Sequence, residues 1–213
     1  MTAFLLCLTA FFGYFLGNLD GAAIASRFIF RRRLRAPRDK LPGPREYYNS
    51  YGIRGVFLIP ALDAAKTLLA ALLGWLLLRI AGHGEVGLLF GGFCVLLGHM
   101  FPALRRFRGG TGKLCFLMVA LAFDWRVGLG CLAVFLIVLI FSRYLALSAI
   151  IAALFCPLLI WMTGYSTLDG ELALLCALLL TLRHAENLLR LAIGTENRLS
   201  LSRADIYGRR GEG

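Results

Sequence analysis

Charge is scarce in this chain. Of its 213 residues, 16% are Asp, Glu, Lys or Arg, against roughly 25% in soluble domains. A water-soluble globule of this composition would aggregate, which excludes that class. Acidic residues are the scarcer sign, 12 against 23 Lys and Arg, and leave a net charge of +11. Several signatures are also missing: there is no Cys-x-x-Cys pair, no metal-ligand spacing, no Ser-His-Asp order and no His-x4-Asp acyltransferase box. Their absence argues against a zinc or disulfide framework and against triad hydrolysis, so neither metal nor cofactor is expected. The six cysteines, Cys7, Cys94, Cys115, Cys131, Cys156 and Cys176, all fall inside apolar runs and read as lipid-buried thiols.

What is present is hydrophobic. Apolar residues make up 59% of the chain, and its mean hydropathy is +0.76. This predicts an all-α, polytopic membrane helix bundle. Seven apolar segments can be drawn, at about 2–17, 56–80, 85–101, 114–124, 126–142, 145–163 and 171–189. The first lacks a basic leader and reads as a retained span. The fourth is short for a ~30 Å hydrocarbon core, which asks for ~20 residues, so the count is six or seven.

Basic residues favour seven. Arg31, Arg32, Arg33, Arg35, Arg38, Lys40 and Arg45 crowd the first connection; Arg105, Arg106, Arg108 and Lys113 the third; Arg143 the fifth; and Arg183, Arg190 and Arg198 the C-terminal end. Alternate connections carry few. Cytoplasmic loops are the basic ones, which predicts the N-terminus outside and the C-terminus inside. The expected organisation is a single membrane domain over 1–198 and a polar cytoplasmic tail over 199–213. In this setting the positive charge points to anionic lipid rather than nucleic acid.

Four constellations carry possible chemistry. GHMFPALRRFRGGTGK, residues 98–113, sets His99 and four basic residues around Gly109, Gly110, Thr111 and Gly112. Glycines let a backbone approach an anion and Arg and Lys supply charge, so this reads as a phosphate cradle. RHAENLLRLAIGTENR, residues 183–198, is expected to continue the last helix past the membrane. It would place Arg183, Asn187 and Arg190 on one stripe, as anion donors or as a snorkelling helix end. Asp63 and Lys66, three apart in the second span, are a structural ion pair or a site wall. Arg143, between the fifth and sixth spans, reaches an anion or anchors the interface.

These motifs resemble the bacterial acyl-phosphate:glycerol-3-phosphate acyltransferases, the PlsY family. Its loop pattern, roughly GHxFPxFxxFxGGKG, is matched by Gly98, His99, Phe101, Pro102, Phe107, Gly109, Gly110 and Gly112. Its C-terminal pattern, roughly RHxxNIxRLxxGTE, is matched by Arg183, His184, Asn187, Arg190, Leu191, Gly194, Thr195 and Glu196. Leu62, Asp63 and Lys66 echo a third pattern, and Arg143-Tyr144 a fourth.

The resemblance implies a seven-span enzyme of the bacterial plasma membrane, monomeric in the bilayer. It would move an acyl group from acyl-phosphate to glycerol 3-phosphate and form lysophosphatidic acid. It also implies His184, Asn187 and Lys113 as catalytic residues, with Gly109, Gly110, Thr111, Gly112, Arg143, Arg183, Arg190, Glu196 and His99 binding substrate or phosphate. Three departures stand out. Residues 38–46 replace a Ser- and Asn-bearing first motif, Thr111 takes the Lys position of GGKG, and Ala146 replaces a Ser. They keep open a paralogue that binds lipid or acyl-phosphate, or assembles with a partner, without this reaction.

Overall fold

Apolar runs that have no water to bond must close their backbone hydrogen bonds internally, as helices. The computed structural model describes residues 1–34 and 42–198; Arg35, Arg38, Lys40 and the 199–213 tail lie outside the described residues. No strand occurs among the described residues. Helix α1 runs Thr2–Asn18; a 55° bend leads into the short α2, Gly21–Ile24, which widens into a π-helical turn over Ala25–Ile29. Then follow α3 (Pro44–Arg79), α4 (Gly84–Met100), α5 (Lys113–Phe123), α6 (Trp125–Ser142), α7 (Leu145–Met162), α8 (Thr167–Arg183) and α9 (Ala185–Ala192). Four helices, α3, α4, α6 and α7, are each long and apolar enough to cross a membrane. Counting each of two bent pairs as one span gives six, and α5 is a shorter apolar helix.

Two segments depart from the hydropathy reading. The second run begins earlier, at Pro44, where the Glu46 carboxylate accepts from Gly43 N at 2.9 Å and caps the helix. Inside α3, Gly52 takes φ +66° and interrupts it. The last run does not continue straight past the membrane: the chain turns by 59° at His184. The His184 ring folds back to within 2.9 Å of the Leu180 carbonyl, and its backbone leaves helical dihedrals. Arg183 therefore belongs to α8 while Asn187 and Arg190 belong to α9, and the expected single stripe is divided.

Glycine sets the packing around α4, which lies against α1 on one side and α3 on the other. A Cβ on Gly98 would come within 2.3 Å of the Tyr14 carbonyl, and one on Gly17 within 2.5 Å of the Val95 carbonyl. On the α3 side, a Cβ on Gly74 would meet the Gly87 carbonyl at 2.1 Å. In lipid, where apolar burial drives little association, such backbone contact gives the van der Waals energy that joins helices. A second core joins α4 to α8 through Leu96, Met100, Phe116, Ile150, Ile160 and Leu180.

The length of α5 matters for the site. Its 11 residues rise about 16 Å, and the 18 of α6 about 27 Å. One residue, Asp124, joins the two antiparallel helices. Lys113 and the preceding loop are thus recessed about 10 Å below the end of α6. If backbone contact sets the fold, Gly74→Leu should lower stability by about 1–3 kcal/mol, read as thermal unfolding in detergent. Leu72→Ala, at a 50%-exposed position on the same helix, should stay within about 0.5 kcal/mol.

Candidate functional site

The 98–113 connection is bolted down at several points. Gly110 N donates to the His99 carbonyl at 2.9 Å and Gly109 N to the Met100 carbonyl at 3.2 Å. Tyr14 Oη donates to the Phe101 carbonyl at 2.9 Å, tying the loop to α1. The Arg183 guanidinium donates to the carbonyls of Gly110 (Nε, 3.1 Å) and Gly109 (Nη2, 2.8 Å). The glycines are needed for this packing: a Cβ on Gly109 would meet the His99 carbonyl at 2.1 Å, and one on Gly112, at φ +73°, would meet the Met100 side chain at 2.1 Å.

The amides of Gly109 and Gly110 thus serve α4 rather than an incoming anion. What the loop presents instead is the start of α5. A helix leaves its first N–H groups without intrahelical partners and carries a positive dipole end there, a natural place for an anion.

That helix start opens on a cavity of about 490 Å³. Its lining includes Gly109, Gly110, Thr111, Gly112 and Lys113 of the loop and α5, together with His99, Asp63, Lys66, Asp20 and Arg105. Pro42, Gly43, Pro44 and Tyr47 close a further wall. A second, apolar cavity of about 230 Å³ lies between α5, α6, α7 and α8, lined by Phe116, Leu117, Cys131, Phe135, Ala149 and Ala152 among others. Lys113 and Leu114 line both.

Ion pairs organise the polar cavity. Asp63 and Lys66 pair at 2.8 Å, and Lys66 Nζ also lies 3.0 Å from His99 Nδ1. Arg105 pairs with Asp20 across the mouth, and Asp20 also accepts from Ala22 N at 3.0 Å as the cap of α2. Sequence reasoning missed Asp20 and Tyr47 as wall residues. The Asp20-Gly-Ala-Ala capping pattern was the one available signal for Asp20.

The C-terminal constellation forms a separate cluster. The Glu196 carboxylate accepts from Asn187 Nδ2 at 2.7 Å and from Arg190 Nε at 2.9 Å. Burial opposes its ionisation, but these hydrogen bonds and the Arg190 charge prevail and hold its pKa below the ordinary value of 4.5. Gly194, at φ +73°, turns the chain back so that Glu196 can reach α9.

His184 is buried, with 1% of its surface exposed; Nδ1 faces the Leu180 carbonyl and Nε2 has no partner among the described residues. Because a carbonyl only accepts, Nδ1 carries the proton and Nε2 a free lone pair. Arg143 is exposed at φ +60° where α6 ends, outside both cavities, although Leu145 two residues on lines the polar one.

A model of the glycerol-3-phosphate acyltransferase family matches residues 7–194. A glycerol-3-phosphate acyltransferase of Ralstonia pickettii is 34% identical over 188 residues, covering 87% of this chain and 90% of that protein. One from Cupriavidus taiwanensis is 34% identical over 196 residues, covering 90% and 95%. The crystal structure of PlsY (YgiH), an integral membrane glycerol 3-phosphate acyltransferase, in its lysophosphatidic acid form is 27% identical, with a TM-score of 0.75 over 92% of this chain and 95% of that one. Its glycerol 3-phosphate form gives 0.72 at 28% identity, over 92% and 96%.

The Glu196 cluster has a testable pH dependence. A carboxylate whose pKa is lowered by folding stabilises the fold above its ordinary value, and that contribution is lost as pH falls through the lowered one. Hydrogen exchange over 185–196, corrected for intrinsic rates, should stay slow down to pH 4.5 and accelerate only below it. Glu196→Gln should exchange fast throughout.

Proposed function

The chain belongs to the glycerol-3-phosphate acyltransferase family, and from that membership we propose that it transfers a fatty acyl group from acyl-phosphate to glycerol 3-phosphate. The product is lysophosphatidic acid. The observation that carries this is the position of Lys113, which lines a polar cavity and an apolar cavity at once. An acyl-phosphate has that same division, a dianionic head on a hydrocarbon chain. Its head is assigned to the recessed start of α5 and its chain to the apolar cavity between α5 and α8.

In the proposed reaction the acceptor hydroxyl oxygen attacks the acyl carbonyl carbon, and the carbon–oxygen bond to phosphate breaks. Phosphate is a good leaving group, so no enzyme nucleophile is required. The protein has to position two anions and stabilise the charge that collects on the leaving phosphate. Lys113, the Thr111 hydroxyl and the α5 N-terminus supply that stabilisation. Lys113 stands two residues beyond the family's lysine position, now Thr111, and takes over its charge.

The lone pair at His184 Nε2 is assigned as acceptor of the hydroxyl proton. Arg183 is assigned as a positioning residue that holds Gly109 and Gly110, and Asn187, Arg190 and Glu196 as a clasp that orders α9 beside the site. His99, whose ring packs against Gly110, faces the phosphoryl group from beside the glycine loop. Arg143 is assigned to the approach of the anionic substrates.

The same proposal covers topology. Basic residues gather at the end of the bundle that bears the glycine loop: Arg27, Arg31, Arg32 and Arg33 after α1, Arg105, Arg106 and Arg108 after α4, Arg143 after α6, and Arg190 and Arg198 at the end. Among the described residues, Arg79 and Arg126 are the arginines of the opposite end. The cavity therefore opens to the cytoplasm, with α5 as the short one of seven crossings and the N-terminus outside. Residues 1–198 act as one monomeric unit in a bacterial plasma membrane.

One observation favours a second function. Where the family's first motif carries Ser and Asn, the cavity wall among the described residues is Pro42, Gly43, Pro44 and Tyr47, of which Tyr47 alone offers a side-chain donor. A chain that binds acyl-phosphate or lipid without transfer is consistent with that wall. Purified protein in lipid nanodiscs, given acyl-phosphate and glycerol 3-phosphate, separates the two. Transfer predicts lysophosphatidic acid in step with released phosphate, and His184→Gln should slow it about 100-fold. Folded protein that binds acyl-phosphate and releases no product supports the second function.

A further inference from the structure

Lys66 is the most enclosed charge of the polar cavity, with 7% of its side chain exposed. An ammonium inside a membrane protein persists when its protons are used, and each of its three has a target. The Leu19 carbonyl and Asp63 Oδ1 are two of them. The third is His99 Nδ1, at 3.0 Å. An ammonium has no acceptor and a carbonyl or carboxylate no donor, so Nδ1 must accept, which leaves the imidazole proton on Nε2.

Nε2 lies against the glycine loop: a Cβ built on Gly110 would sit 2.2 Å from it. The missing side chain at 110 leaves this N–H open to the cavity that both residues line. The other groups around the ring are Asp63, whose Oδ1 is 4.0 Å from Nδ1 and which also accepts from Gly21 N at 3.3 Å, and the paired Asp20 and Arg105.

We propose that Lys66 is a positioning residue that locks His99 in its Nε2–H form, so that His99 donates a hydrogen bond to a phosphoryl oxygen held in the polar cavity. This rests on that cavity taking a terminal phosphoryl group, that of acyl-phosphate or that of the acceptor. The lock joins three segments: Leu19 after α1, Asp63 and Lys66 on α3, and His99 on α4. With an unprotonated Nε2 the ring would turn a lone pair toward an anion, so the choice of tautomer decides between attraction and repulsion.

Nitrogen-15 NMR of histidine-labelled protein in nanodiscs, with His99 assigned by the signal lost in His99→Gln, should show Nε2 protonated and Nδ1 bare. The double variant Asp63→Asn/Lys66→Met strands no charge and should give mixed tautomers. Its KM for glycerol 3-phosphate or for acyl-phosphate should rise about tenfold, the size of one hydrogen bond to a charged group, with kcat changed far less. Which KM moves identifies the phosphate concerned.

His99→Gln, whose amide nitrogen occupies the place of Nε2, should keep more affinity than His99→Asn. In the His99→Gln background the Asp63→Asn/Lys66→Met pair should have little further effect. Protonated Nδ1 in the parent protein, unchanged KM values in the double variant, or an equal loss in the His99→Gln background would overturn the proposal. Should the chain transfer no acyl group, the NMR result and calorimetric binding of inorganic phosphate still decide it, so the two claims fail separately.

Discussion

Everything at the site hangs on how closely α4 can approach its neighbours. Glycine faces glycine where α4 meets α1 and α3, so that backbone rests on backbone; Gly17 and Gly98, and Gly74 and Gly87, have no room for a methyl group. That contact delivers the end of α1 at Asn18, and with it Asp20 at the start of α2, to the side of His99 and the following loop. It also places Lys66 of α3 within reach of Leu19 and His99 together. In a bilayer, where helices gain little from burying apolar surface against one another, this packing supplies both cohesion and the register of the polar groups.

A second constraint is the cost of charge away from water. The polar cavity meets it by pairing: Asp63 with Lys66 and Asp20 with Arg105. Lys113 has no carboxylate within ion-pair distance among the described residues, and it stands at the recessed start of α5, where helix dipole and side chain add. A short α5 brings its first residues level with the apolar cavity, so that Lys113 and Leu114 line the polar and the apolar cavity at once.

Much of the architecture was legible in the sequence, for physical reasons. Long apolar runs have few alternatives to helices, and the Asp63–Lys66 spacing on one helical turn brought the pair to 2.8 Å. The loop glycines were visible too, although their main task is packing against the end of α4 rather than baring amides. Other features depend on distances the sequence does not encode locally. Lys66 and His99 are 33 residues apart, and Arg183 reaches carbonyls more than 70 residues away. The stripe expected over residues 183–190 failed because His184 turns inward and bends the chain there. Glu196 could not be foreseen as the internal partner of Asn187 and Arg190, since only the turn at Gly194 brings it back.

The central claim is that the lysine displaced from position 111 to 113 still serves the phosphate at the junction of the two cavities. The most direct measurement is the rate of lysophosphatidic acid formation by Lys113→Ala, alone and combined with Thr111→Lys. The account predicts a loss of about 100-fold or more for the single variant and recovery of most of it when lysine returns at 111. A Lys113→Ala protein that turns over at the parental rate would contradict it.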